Sequence, residues 1–143
     1  MEKSLVKRKQ TNQEIGLYSK IPPQARELEE AVLGALLIEK DAISYVSDIL
    51  KPESFYVDAH KTIFEFCLEL FKSSKPIDML SVMEALRAES KLEEIGGGYY
   101  LSELTNKVGS SANIEYHSRI IIQKYLQREV IRICNDSITD GYE

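Results

Sequence analysis

"ANIEYHSRIIIQKYLQREVIRICNDSITDGY", residues Ala112–Tyr142, is the stretch that decides the fold. It has no proline, and no glycine before Gly141. Ser110 or Ser111 can cap a helix that then runs unbroken. About thirty helical residues extend roughly 45 Å at 1.5 Å per residue. A domain of this chain's length is only on the order of 35–40 Å across, so the helix is expected to overshoot its own core. Its apolar residues also exceed one stripe. Ile120, Ile121 and Ile122 are consecutive and fan over about 200° of helix surface. Val130, Ile131, Ile133 and Cys134 are similarly spread. A helix apolar on more than one side needs more than one neighbour. The neighbour is another part of this chain, a second copy or a different protein. Ile120, Ile121, Ile122, Val130, Ile133 and Cys134 are therefore candidates for self-association.

Just upstream stands "LEEIGGGYYLSEL", Leu92–Leu104. Three glycines can suggest a phosphate-binding loop. Such a loop needs a buried strand before it and Gly-Lys-Ser/Thr at its end. Here "RAESKLEEI" reads as a helix end and a turn, and no Gly-Lys dipeptide occurs in the chain. The G-x-G-x-x-G dinucleotide fingerprint is absent as well. Glycine also permits positive φ where one helix stops and another begins. Gly96–Gly98 are thus a corner, after which Tyr99, Tyr100, Leu101 and Leu104 start the next helix.

Further upstream the apolar spacing is helical throughout. Pro22 and Pro23 mark a boundary, and Leu28, Val32 and Leu36 then lie four apart, with Leu33 and Leu37 beside them. Gly34 in this helix costs about 1 kcal/mol against alanine, which implies that another helix packs closely there. Asp41 can cap a second helix carrying Ile43, Val46, Ile49 and Leu50, ended by Pro52. Asp58 can cap a third, with Ile63, Phe64, Cys67, Leu68 and Phe71 inward. Asp78 can cap a fourth that buries Met79, Val82, Met83 and Leu86. No segment alternates with period two over a useful length. The expected fold is all-α: a compact bundle of about five short helices, plus one long C-terminal helix that would form half of a helical hairpin. The expected divisions are a flexible basic tail over residues 1–20, the bundle over 21–109, and the long helix with the start of a turn over 110–143.

Charge is unevenly placed. Residues 1–20 hold five basic and two acidic residues, a net of +3, against −5 for the whole chain, which leaves −8 on residues 21–143. An acidic body repels phosphate backbones, so its globular part is expected to bind DNA only weakly. No apolar run approaches the ~20 residues of a membrane helix, and no apolar segment of signal-peptide type follows the basic start. The two cysteines, Cys67 and Cys134, lie in helix-like apolar patterns and read as reduced core residues of a cytoplasmic protein.

Catalytic chemistry finds little to work with. The two histidines, His60 and His117, have no second histidine at i+4, so no zinc pair is evident. His60 lies on the apolar side with Ile63, Phe64 and Cys67 and reads as a packed, hydrogen-bonded residue. Glu27, Glu29, Glu30, Glu93 and Glu94 read as solvated helix faces. The expectation is a binding module with no catalytic, metal-binding or cofactor-binding residues.

"PPQARELEEAVLGALLI", "ESFYVDAHKTIF", "KPIDMLSVMEAL", "LEEIGGGYYLSELTN" and "SSANIEYHSRIIIQKYLQREVI", in this order, resemble the N-terminal domain of the bacterial replicative DNA helicase, the DnaB family. The likeness covers roughly Pro22 to Tyr142. It implies a parent that forms a hexameric ring and unwinds the replication fork 5′ to 3′. Its ATP and Mg would be held by a RecA-like motor domain after a linker, which this sequence lacks. The chain would then be an N-terminal fragment, with the missing hairpin helix following a turn at "DGYE". The resemblance also implies dimers that assemble three to a ring as a collar, docking of the primase C-terminal domain, and contact with a helicase loader. Family contacts to primase fall here on Tyr100 and Ile131. A further position, apolar in relatives, falls on Ser137. The helicase-binding domain of a primase shares this helical fold and is the alternative expectation, with a generic single-strand-binding module as a third.

Overall fold

Helix α1 (Arg26–Ile38) is the hub of the molecule. Val32, Leu33, Ala35, Leu36 and Leu37 are all buried, so the helix has apolar neighbours on nearly every side. The computed structural model describes residues 20–108 and 111–143. Among these residues α1 is followed by α2 (Ala42–Val46), α3 (Asp58–Lys72), α4 (Met79–Ala88), α5 (Gly97–Lys107) and α6 (Ile114–Tyr142). Short 3-10 turns cover Pro52–Ser54 and Ser111–Asn113. The described residues contain no strand. The fold is the all-α bundle with one long terminal helix that the apolar spacing predicts.

The packing follows from the sequence. α1 lies mainly against α5 and α6, with α3, α2 and α4 around it. Gly34 makes the closest approach possible. A Cβ there would collide with Val108 Cγ2 and the Leu104 carbonyl oxygen, so only glycine lets α1 and α5 touch. Ile63, Phe64 and Cys67 of α3 and Val82 and Leu86 of α4 fill the other side of the core. Asp78 caps α4, its Oδ1 accepting the Ser81 N–H at 2.8 Å. The glycine corner has the expected geometry, with Gly96 at φ +109° and Gly97 at φ +74°.

Several boundaries differ from the sequence reading. α2 is a single short helix continued by turns, because Ile49 and Leu50 belong to a tighter descent toward Pro52. Asp58 is the first residue of α3 rather than its cap, and its charge there complements the helix dipole. α6 begins only at Ile114, after Ser111–Asn113; the other expected cap, Ser110, lies outside the described residues. The turn expected at "DGYE" does not form. α6 runs through Gly141 to Tyr142, since one glycine near a helix end costs only about 1 kcal/mol. Residues 1–19 of the expected basic tail, and the 109/110 junction between bundle and long helix, also lie outside the described residues.

Candidate partner-binding faces

Two places on the molecule hold chemistry that packing alone does not explain. The first is a polar knot where α1, α3 and α5 meet. Glu29 is buried in α1 and His60 is buried in α3. Glu29 Oε2 accepts the Tyr56 backbone N–H at 2.9 Å, and Oε1 accepts that of Val57 at 3.3 Å. These bonds hold the chain entering α3, where the first N–H groups have no helical partner. Glu29 Oε1 also lies 2.8 Å from His60 Nδ1. On its other side His60 Nε2 is 2.5 Å from the hydroxyl of Tyr100, the third residue after Gly97. The two rings are nearly parallel, 6.0 Å apart. The glycine corner thus turns α5 so that Tyr100 spans from the protein interior to its surface.

Next to the knot, Glu30 receives Lys107 Nζ at 2.9 Å and Arg26 Nε at 3.3 Å. Burial alone would push its carboxyl up, but the hydrogen bonds from Lys107 and Arg26 outweigh it and hold the group below the usual carboxylate range. Burial and the nearby Glu30 push the Tyr100 hydroxyl up. Arg26 and Lys107 are in turn raised, chiefly by their hydrogen bonds to Glu30.

The second place is the far half of α6. Ile114, Ser118 and Ile121 are buried, and after Glu129 every residue of the helix is exposed. Arg128 stands at the changeover. Its guanidinium donates to the Pro23 carbonyl at 2.7 Å and the Ser54 carbonyl at 3.0 Å. It also lies over the rings of Tyr56 and Tyr125, at 5.4 and 5.8 Å. The helix is therefore pinned to the bundle at that point and free beyond it. Val130, Ile131, Ile133 and Ile138 beyond it, and Leu126 just before it, are each about half exposed or more. With Cys134 and Ser137 they occupy one continuous face about 160° wide at 100° per residue. Arg132, paired with Glu129 and Asp136, both at 2.9 Å, lines a groove between this helix and Ile21–Pro23.

The structure separates the candidates that the sequence groups together. Ile121 lies in the core, so no second copy can reach it, and self-association through it is withdrawn. Ile120 and Ile122 are partly buried, Ile122 against the core. Val130, Ile133 and Cys134 are exposed, as are Ile131 and Ser137. Cys134 is thus not a core residue, because no helix among the described residues covers its side of α6; Cys67 is, and burial pushes its thiol up to about 12. Ser137 bonds its hydroxyl to the Ile133 carbonyl at 2.8 Å, which satisfies it within the helix. Tyr100 and Ile131 lie on separate elements. Glu29 and Glu30 are not solvated, as their charge suggested, but buried. A usable signal was their spacing: Glu29 precedes Leu33 and Leu36 by four and seven, on the inward face of α1. Arg128 carries no sequence signal, because its acceptors are backbone carbonyls far along the chain.

The described residues thus form an all-α domain with a buried polar knot and, beside it, a pinned helix whose far half bears an exposed apolar face. The comparisons with known proteins agree. The model of the DnaB-like helicase N terminal domain matches residues 21–123, and the chain belongs to that family. It is 50% identical to the replicative DNA helicase DnaB of Rhodothermus marinus over 111 residues, 78% of this chain and 12% of that protein. It is 44% identical to DnaB of Geobacillus stearothermophilus over 86% of this chain and 27% of that one. The chain thus spans about a quarter or less of these relatives. Its fold matches the crystal structure of the N-terminal domain of DnaB helicase from Mycobacterium tuberculosis, with TM-score 0.83 and 34% identity over 85% of this chain and 87% of that one. It also matches a DnaB-like replicative helicase described with its interactions with primase, with TM-score 0.72 and 29% identity over 81% of this chain and 27% of that one. The chain falls on the helicase side of the expectations, not the primase side.

Proposed function

We propose that this chain is a non-catalytic assembly and docking domain of a bacterial replicative DNA helicase. In this reading the exposed face of α6 pairs with a second copy, and three such dimers form the N-terminal collar of a hexameric ring. The faces carrying Tyr100 and Ile131 receive the C-terminal helicase-binding domain of a primase, and a helicase loader is a further protein partner. ATP, Mg and 5′-to-3′ unwinding belong to a motor domain of the parent protein, at forks in the cytoplasm. The observation that carries the reading is the unpartnered apolar face beyond Arg128: Val130, Ile131, Ile133 and Ile138 are 48–60% exposed on one helix. An exposed face of this extent is the mark of a protein interface. The relative described with its primase interactions supports the choice of partner. The net charge of −8 on residues 21–143 supports weak contact with DNA.

The test is sedimentation velocity of the chain and of Ile133→Asp, with titration of a primase helicase-binding domain onto the chain and onto Ile131→Asp. The expected results are concentration-dependent dimers lost in Ile133→Asp and primase affinity reduced in Ile131→Asp. Unchanged sedimentation and unchanged primase affinity in both variants would overturn the reading. So would a tight, salt-sensitive anisotropy response to single-stranded oligonucleotide, which would favour a single-strand-binding module.

A further inference from the structure

The knot determines more than the position of Tyr100. Backbone N–H groups can only donate, so both Glu29 oxygens act as acceptors, Oε2 from Tyr56 and Oε1 from Val57. The 2.8 Å contact to Oε1 is then satisfied by a hydrogen on His60 Nδ1. A neutral imidazole with hydrogen on Nδ1 has a bare Nε2, which must accept. The group facing it at 2.5 Å is the Tyr100 hydroxyl, which has one hydrogen to give. Among the described residues no buried side-chain nitrogen or oxygen lacks a hydrogen-bond partner. With His60 neutral, the hydroxyl's single hydrogen is spent inward. Toward the surface it offers only lone pairs, one of them toward the Arg26 guanidinium.

We infer that His60 is a neutral imidazole and that Glu29 and His60 are positioning residues for the partner face: they hold Tyr100 as an inward donor, so that its oxygen presents a fixed hydrogen-bond acceptor to a donor group of the docked protein. The donor is an amide or a cationic side chain; a carboxylate is excluded, because two acceptors would meet. The inference rests on the reading of Tyr100 as part of the primase-docking face.

Two measurements on the full chain test it. The first is long-range proton–nitrogen correlation on a chain with labelled histidine. The expected His60 signature is a protonated Nδ1 and a bare Nε2. A protonated Nε2, alone or with Nδ1, would overturn the inference, because Tyr100 would then accept inward and donate outward. The second is titration of a primase helicase-binding domain. Tyr100→Phe is expected to weaken binding about three- to tenfold, the worth of one hydrogen bond. His60→Gln should weaken it by a similar factor, and adding it to Tyr100→Phe should cost nothing more. Additive losses, or binding unaffected by His60→Gln while Tyr100→Phe weakens it, would overturn the positioning role and leave the docking reading standing. Absence of binding by the unaltered chain would remove both, and the nitrogen spectrum needs no partner and cannot be blamed on misfolding of a variant.

Discussion

The two halves of α6 carry the same kind of residue and meet opposite fates. Before Arg128, Ile114 and Ile121 are buried against α1 and α2; after Glu129, Val130, Ile131 and Ile133 stand in solvent. The first half completes the core of its own chain. The second half shows that an isoleucine-rich helix alone does not say who will cover it. The bundle has finite width, and the rod outruns it.

The sharpest way to break this contrast is to make one substitution on both sides. Ile121→Ala should destabilise the chain by about 2–5 kcal/mol, as truncations in packed cores do. Ile133→Ala should lie within about 0.5 kcal/mol for the monomer, measured by urea unfolding at low protein concentration. Equal costs would mean that the outer half is covered after all.

Next in size is the seam on which the inner half depends. Gly34→Ala places a methyl group against the Leu104 carbonyl and Val108, and should cost about 1–3 kcal/mol. A neutral result would show that α1 and α5 can part without loss. At the changeover, Arg128→Ala removes two hydrogen bonds to the Pro23 and Ser54 carbonyls and should cost about 1–2 kcal/mol. Amide exchange is expected to rise in the segment Ile21–Ala25, while α6 beyond residue 129 stays unchanged.

A smaller effect tests electrostatics within the sealed half. The folded-state pKa of Glu30 is lowered, so the folded protein gains stability from its ionised form above the unfolded carboxyl pKa, ~4.3, and loses it as pH falls through the lower folded value. Glu30→Gln should flatten the acid side of the stability–pH curve, and an unchanged slope below ~4.3 would deny the ion pairs with Lys107 and Arg26 any role. Smallest in energy, though plain to read, is the pair of cysteines. Cys134 should react with a thiol reagent in the native state, whereas Cys67, buried and pushed up to about 12, should react only as the chain unfolds.

Much of this was legible in the primary structure. Helical spacing marked each element, Gly34 marked a close contact, Asp78 marked a cap and the triple glycine marked a corner. The charge of Glu29 and Glu30 predicts solvent exposure, and the structure buries both because their partners, His60 and Lys107, come from 31 and 77 residues away. Cys134 shows the converse: its apolar pattern predicts a core position, but its apolar neighbours along α6 are themselves exposed.

By itself the amino-acid order determined that the chain is helical and that its last helix is too long and too apolar for one small bundle, because periodicity and rise per residue are local properties. Only the tertiary structure decided which isoleucines are sealed and which are bare, and that Glu29, His60 and Tyr100 form one chain of hydrogen bonds. Those outcomes depend on where distant segments end up in space, and no local pattern encodes a contact between α1, α3 and α5.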